Sequence, residues 1–221
     1  MDREISKWER LLDAFEHLLP EDTLEFVTNG PVGQLVVELQ KRYGADFYCW
    51  PLERGPRAWR VVLAKPASGQ PINLATLMRA DHLRLGELWA QFEQAVELCQ
   101  IDTIHRLSAE LSLGLRRYVD IEEAVLFPVL EGQTSMAVAG WRERMRTEHR
   151  EIGRIAEQLD KLRMTRECAA ILEMFDRPVE PMMMFRQHCR TEEALVYPLM
   201  NMVFDPAKEH EILFLLQAFQ I

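Results

Sequence analysis

The chain has 221 residues, with 26 lysines and arginines against 35 aspartates and glutamates and a formal net charge of −9. That length allows one large or two modest domains with real cores, and the acidic balance excludes a nucleic-acid groove or an anionic membrane as the main partner. No apolar run approaches the roughly 18 residues of a membrane span, and the charged start Met1-Asp-Arg-Glu-Ile-Ser-Lys7 carries no signal-peptide core, so a cytoplasmic protein is expected.

In chain order, apolar residues at Ile5, Trp8, Leu11, Leu12, Phe15, Leu18 and Leu19 predict an amphipathic helix stopped by Pro20. Thr23–Thr28 alternates as a strand does, Asn29-Gly-Pro31 turns the chain, and a second helix runs from Val32 to Tyr43, closed by Gly44. Asp46–Leu52 and Ala58–Leu63 read as two strands joined by a turn at Glu53–Arg57. The order α-β-α-β-β over residues 1–66 predicts a small two-layer α/β sandwich. Its expected role is regulatory, or docking of a protein partner. Pro66-Ala-Ser-Gly-Gln-Pro71 reads as a linker. Four helices are then predicted at Asn73–Cys99, Thr103–Leu130, Met136–Leu162 and Thr165–Met202, the last broken by Pro178 and Pro181. The final segment, 205–221, is apolar at Ile212-Leu-Phe-Leu-Leu216. It is expected to pack within its own chain, on the helical region or on the first domain. The four cysteines, Cys49, Cys99, Cys168 and Cys189, form no Cys-x-x-Cys pair and are expected as reduced thiols rather than a disulfide framework.

The helical part contains one stretch twice. Tyr118-Val-Asp-Ile-Glu122-Glu123-Ala-Val-Leu-Phe-Pro128 returns as His188-Cys-Arg-Thr-Glu192-Glu193-Ala-Leu-Val-Tyr-Pro198, 70 residues on. Asp81-His82-x-x-Leu-Gly86 likewise returns as Glu148-His149-x-x-Ile-Gly153. Residues 72–204 therefore read as two copies of a helical hairpin, each with a His early and a Glu late. Spacings of four put Tyr118 over Glu122 and His188 over Glu192, one turn apart on a single helix face. Counting from the turn near Gln100–Asp102 brings His82 level with Tyr118 and Glu122. Two hairpins packed antiparallel would make an up-down four-helix bundle enclosing His82, Tyr118, Glu122, His149, His188 and Glu192. The fold class expected for the whole chain is thus multi-domain, α+β followed by all-α. Polar groups on an inward stripe are costly unless paired or bound to metal. Imidazoles and carboxylates together suit a metal pair, and the lack of a Cys quartet argues against structural zinc. His105 starts its helix too far from the Glu122 level to share such a site, His17 and His210 read as surface residues, and Met182-Met-Met184 reads as adaptable packing.

His82, Glu122 in Glu-Glu-Ala-Val-Leu-Phe-Pro, His149, and His188-x-x-x-Glu192-Glu193 before Val-Tyr-Pro resemble the hemerythrin domain in its bacterial His-His-Glu cation-binding form. The resemblance implies a four-helix bundle with two non-haem iron ions, bridged by Glu122 and Glu192 and with an oxo or hydroxo bridge allowed. His149 and His188 would hold one iron and His82 the other, while Glu123 and Glu193 would lie outside the bridges. The N-terminal order and its Gly-Pro turn are similar to the small sulfur-carrier-like α/β domain that precedes hemerythrin domains in bacteria. That domain's Cys-Pro signature is missing, since Cys49-Trp50-Pro51 falls mid-strand, and no chemistry is assigned to it.

Two positions depart from the hemerythrin pattern. Tyr118 stands where a His is expected, and Met145 stands where oxygen carriers place a second His before His149. Tyr118 could coordinate as a hard phenolate, or turn aside and leave an open position. The resemblance implies a protein that binds or senses oxygen, peroxide or nitric oxide, or handles iron, with no catalytic residue assigned. The alternatives are iron–sulfur cluster repair or peroxide reduction by an enzyme, and a metal-poor interaction module. The repair branch carries an N-terminal segment with adjacent cysteines that this sequence lacks.

Overall fold

The computed structural model describes residues 7–20, 22–54, 58–66, 72–131, 139–174 and 179–219. The expected linker at 66–71, the tip of the 53–57 turn, the start of the first helix at Ile5, the start of the third long helix at 136–138 and the break at Pro178 lie wholly or mostly outside them. The chain forms two compact units, residues 1–77 with 206–221 and residues 78–205.

The first unit begins with α1 (Lys7–Glu16), β1 (Thr23–Thr28), α2 (Gly33–Tyr43), β2 (Tyr48–Arg54) and β3 (Trp59–Ala64). The strands pair antiparallel in the order β1-β3-β2, with Thr23 and Tyr48 both opposite Ala64. Pro51 cannot donate a ladder hydrogen bond, and β2 is an edge strand, where that is tolerated; the register shifts beside it, between Pro51 and Glu53. Val61 and Leu63 share one face of β3 and pack with Leu12 and Phe15 of α1 and Leu35, Val36 and Leu39 of α2. Helices therefore cover that face. The terminal α10 (Pro206–Phe219) belongs to this unit as well. Its Gln217 is fully buried, donates to the carbonyls of Ala45 (2.9 Å) and Phe47 (3.1 Å), and accepts from Gln40 Nε2 at 3.3 Å.

The second unit is helical: α3 (Leu74–Glu97, most of it in this unit), α4 (Ile101–Ile121), a π turn at Glu122–Leu126, α5 (Phe127–Glu131), α6 (Ala139–Leu162), α7 (Cys168–Met174), α8 (Val179–Thr191), a second π turn at Glu192–Val196, and α9 (Tyr197–Val203). Each long helix buries one stripe. On α3 it runs Met78, His82, Leu85, Trp89, Phe92 and Val96; on α6 it runs Met145, His149, Ile152, Ala156 and Leu159. Steps of three and four residues keep each stripe on one side of a 3.6-residue helix. Each fully buried Leu or Ile contributes about 1.5–3 kcal/mol, enough to hold a few polar side chains inside. Gly114 of α4 allows close approach, because a Cβ there would stand 2.6 Å from Leu85 Cδ2 of α3. Pro181 lies in the first turn of α8, where its missing N–H breaks no intrahelical bond.

One expectation is overturned. Cys99 and Cys168 form a disulfide across 69 residues, with their Cα atoms 5.7 Å apart, while Cys49 and Cys189 are buried and take part in no disulfide. Nothing local marks the pair. The α3–α4 turn, where Cys99 adopts φ 53°, meets the start of α7 only in the folded chain. His105 joins the same corner, its Nε2 2.7 Å from the Thr165 carbonyl, and so stands apart from the other histidines of the unit. No described helix is long and apolar enough to cross a membrane.

Candidate metal centre

The two π turns come from the repeated Glu-Glu-Ala-x-x-x-Pro. Proline six residues after the first Glu has no N–H for the carbonyl four residues back, and its ring would crowd that carbonyl. The ladder instead steps one residue wider: Phe127 N–H bonds to the Glu122 carbonyl and Tyr197 N–H to the Glu192 carbonyl. Such π turns concentrate at functional sites. Here each begins on the Glu of the site, so the same proline that widens the helix fixes where that carboxylate points.

Glu122, His149, His188 and Glu192 are all buried, and each offers a ligand atom within 4.8 Å of the others; His82, Cys189 and Glu192 form a second such group within the same distance. His149 Nε2 is 3.0 Å from Glu122 Oε2. His188 Nε2 is 2.9 Å from Glu192 Oε1 and 4.0 Å from Glu122 Oε2. His82 Nε2 is 3.3 Å from Glu192 Oε2. Tyr118 donates its hydroxyl proton to Glu192 Oε2, and its oxygen lies 3.1 Å from His82 Nε2 and 3.4 Å from His188 Nε2. All six residues singled out in the sequence are therefore brought together.

Each imidazole is held from behind by a carboxylate. His82 Nδ1 meets Glu193 at 3.3 Å, His149 Nδ1 meets Glu123 at 2.7 Å, and His188 Nδ1 meets Glu148 at 2.8 Å. A proton donated outward from Nδ1 leaves the Nε2 lone pair facing inward, as a metal-ligating imidazole requires. Glu123 and Glu193 thus stand outside the Glu122 and Glu192 pair. Glu148 was missed in the sequence, although it precedes His149 as Asp81 precedes His82.

The duplication explains the exception at Tyr118. Asp81 occupies the place of Glu148, but Tyr118 has no ring N–H to offer it. Asp81 instead binds Arg117 of α4 and, at 3.0 Å, Arg84 of its own helix, which holds its carboxyl below the usual range despite burial. Ring stacking is duplicated too, Phe127 on His149 and Tyr197 on His82. Tyr197 adds a hydroxyl 3.1 Å from His82 Nε2, a contact without any counterpart at His149.

Two oxygens remain without hydrogen bonds. Glu122 Oε1 and Glu192 Oε1 are fully buried, and the approach of His188 Nε2 to the latter lacks hydrogen-bond geometry. A buried carboxylate oxygen without a hydrogen bond costs about 1–3 kcal/mol or more; Glu192 Oε1 offsets part of that against His188, Glu122 Oε1 does not, and two such carboxylates beside inward imidazoles fit a cation. Burial, and then repulsion from Glu192, push Glu122 up to about 7. Burial acts on Glu192 in the same sense, but His188 outweighs it and holds Glu192 low. Burial opposes the charged form of His188, yet the two carboxylates push it up to about 9. Burial also pushes the phenols of Tyr118 and Tyr197 and the thiol of Cys189 well up. A cation would reverse that logic, because its charge favours the ionised form of every ligand.

Helices that converge carboxylates and outward-braced imidazoles on one buried point define a His/Glu cation-binding protein. The profile of the hemerythrin HHE cation-binding domain matches residues 73–200, and the chain belongs to that family. No curated protein and no solved structure matches this chain at a significant level.

Proposed function

We propose that residues 72–204 form an up-down four-helix bundle holding a non-haem di-iron centre, which binds or senses a small molecule such as oxygen, peroxide or nitric oxide, or handles iron. In this reading Glu122 and Glu192 bridge the two metals. His149 and His188 hold one iron, and His82 holds the other with Tyr118 as its phenolate ligand. When bound, the iron pair supplies redox capacity and a position for a small ligand. The chain's own residues do the rest. Glu123, Glu148 and Glu193 orient the imidazoles, the apolar stripes exclude water, and Tyr118 and Tyr197 place two hydroxyls at His82. Binding rather than catalysis is the role proposed, in the cytoplasm, with the first unit available to a protein partner.

The observation that carries this reading is the pair of fully buried carboxylates, Glu122 and Glu192, each with one oxygen that makes no hydrogen bond, converging with imidazole nitrogens on one buried point. The hydrogen bond from Tyr118 to Glu192 supports a second role, in which the phenol stays protonated and serves as a donor beside an open metal position. Metal analysis of the purified protein, with visible spectra before and after oxygen, tests both. Two irons per chain and an oxygen-dependent band are expected. A persistent phenolate-to-iron band assigns Tyr118 as a ligand, and its absence with iron loaded leaves it as a donor. A chain that takes up no iron defeats the reading.

A further inference from the structure

The two halves of the centre also differ at Cys189. The duplication places it opposite Val119, which lines the cleft beside His149 and offers no donor atom. Cys189 is a free thiol, only 7% exposed, three residues before Glu192 and so one helical turn away on the same side of the chain. Its Sγ, one ring nitrogen of His82 and one carboxylate oxygen of Glu192 all lie within 4.8 Å of one another. Ligand atoms sharing one tetrahedral cation, with a metal–sulfur distance of about 2.3 Å and a metal–nitrogen distance of about 2.1 Å, stand about 3.6 Å apart. Closure by about 1 Å at most would bring the three donors onto one ion. A second observation supports a ligand here: Glu192 is fully buried, and its Oε2 lies 3.3 Å from His82 Nε2, so the thiol adjoins two donors that already converge.

We propose that Cys189 is a metal ligand, so that the His82 half of the centre is a mixed nitrogen, oxygen and sulfur site for a divalent cation of borderline softness, while the His149–His188 half has nitrogen and oxygen donors alone. The proposal deepens the dimetal reading and rests on it. Thiolates favour softer ions than carboxylates do, so the two halves differ in metal preference although their backbones are duplicated. On binding, the sulfur–metal bond forms, the S–H bond breaks, and the proton passes to solvent.

Cobalt(II) added to the metal-free full-length protein tests this. Wild type is expected to take up two equivalents, one giving a sulfur-to-cobalt charge-transfer band in the near ultraviolet, with one sulfur in the cobalt X-ray absorption shell. Cys189→Ser and Cys189→Ala should lose the band and bind that equivalent at least about tenfold more weakly, whereas Cys49→Ser should keep it. The X-ray absorption measurement needs no variant and stands even where a substitution impairs folding. Cobalt bound to wild type with no sulfur in its shell overturns the Cys189 assignment alone, as does a band that survives in Cys189→Ser. No cobalt uptake at all overturns the dimetal reading together with it.

Discussion

Glu148 gives the sharpest test of how the centre is built, because of the six residues at the centre it contacts His188, its other partner being the outer Arg144 at 2.8 Å. Its Oε2 lies 2.8 Å from His188 Nδ1, and its side chain is 19% exposed, so the contact is only partly screened by water. Carboxylates that brace a ligating imidazole are worth about 10–100-fold in metal affinity, or about 1.4–2.8 kcal/mol. Glu148→Gln keeps an acceptor for the Nδ1 proton and loses only the charge, so it should fall near the tenfold end. Glu148→Ala removes both and should approach a hundredfold. Asp81 provides the internal comparison. It occupies the duplicated position but faces Arg117 and Arg84, not an imidazole, so Asp81→Asn should lower the stability of the metal-free protein more than it lowers metal affinity. Competition against a chelator of known affinity measures the first quantity, and denaturant unfolding of the metal-free protein measures the second. If Glu148→Ala changes metal affinity less than twofold, the outer carboxylates do not tune the site and the bracing argument is wrong.

Three further outcomes are expected. Tyr118→His should shift the visible spectrum of the iron-loaded protein toward that of an oxygen carrier, and an unchanged spectrum would show that the phenol is not at the metal. In the metal-free protein, His188 is raised from 6.5 to about 9, so its stabilising charge is complete below pH 6.5 and is lost as pH rises through 9; Glu122, raised from 4.5 to about 7, loses its contribution as pH rises through 7. Both effects lower stability with rising pH, by about 3 kcal/mol for His188 between pH 6 and pH 10. Metal affinity should rise over the same range, because the imidazole protons must leave; denaturant unfolding at the two pH values that shows no difference would contradict this. Reduction of Cys99–Cys168, which closes 69 residues, should destabilise the second unit by about 4 kcal/mol. Trapping thiols at the moment of lysis and counting those modified tests whether the bond exists in the cell, and a bond intact there would count against the cytoplasmic assignment.

The sequence by itself determined whatever depends on spacing within one helix or strand. Periods of three and four residues set the buried stripes of α3, α4, α6 and α8, and the four-residue steps Tyr118–Glu122 and His188–Glu192 put each pair on one face. The repeat of those steps, with His82 and His149 before them, marked the six residues that the fold gathers. The π turns were not read from the sequence, which predicted unbroken helix through Glu122 and Glu192; the proline six residues after each Glu explains them once the hydrogen-bond ladder is traced. Only the tertiary structure decided which partner each group finds. A carboxylate at Glu148 braces an imidazole while its counterpart Asp81 is taken by two guanidiniums, Cys99 reaches Cys168 and Cys189 does not, and α10 buries Gln217 against Ala45 and Phe47. These pairings join residues far apart in the chain. Their energies depend on distances and burial that exist only after the helices pack, and no periodicity along a single element carries that information.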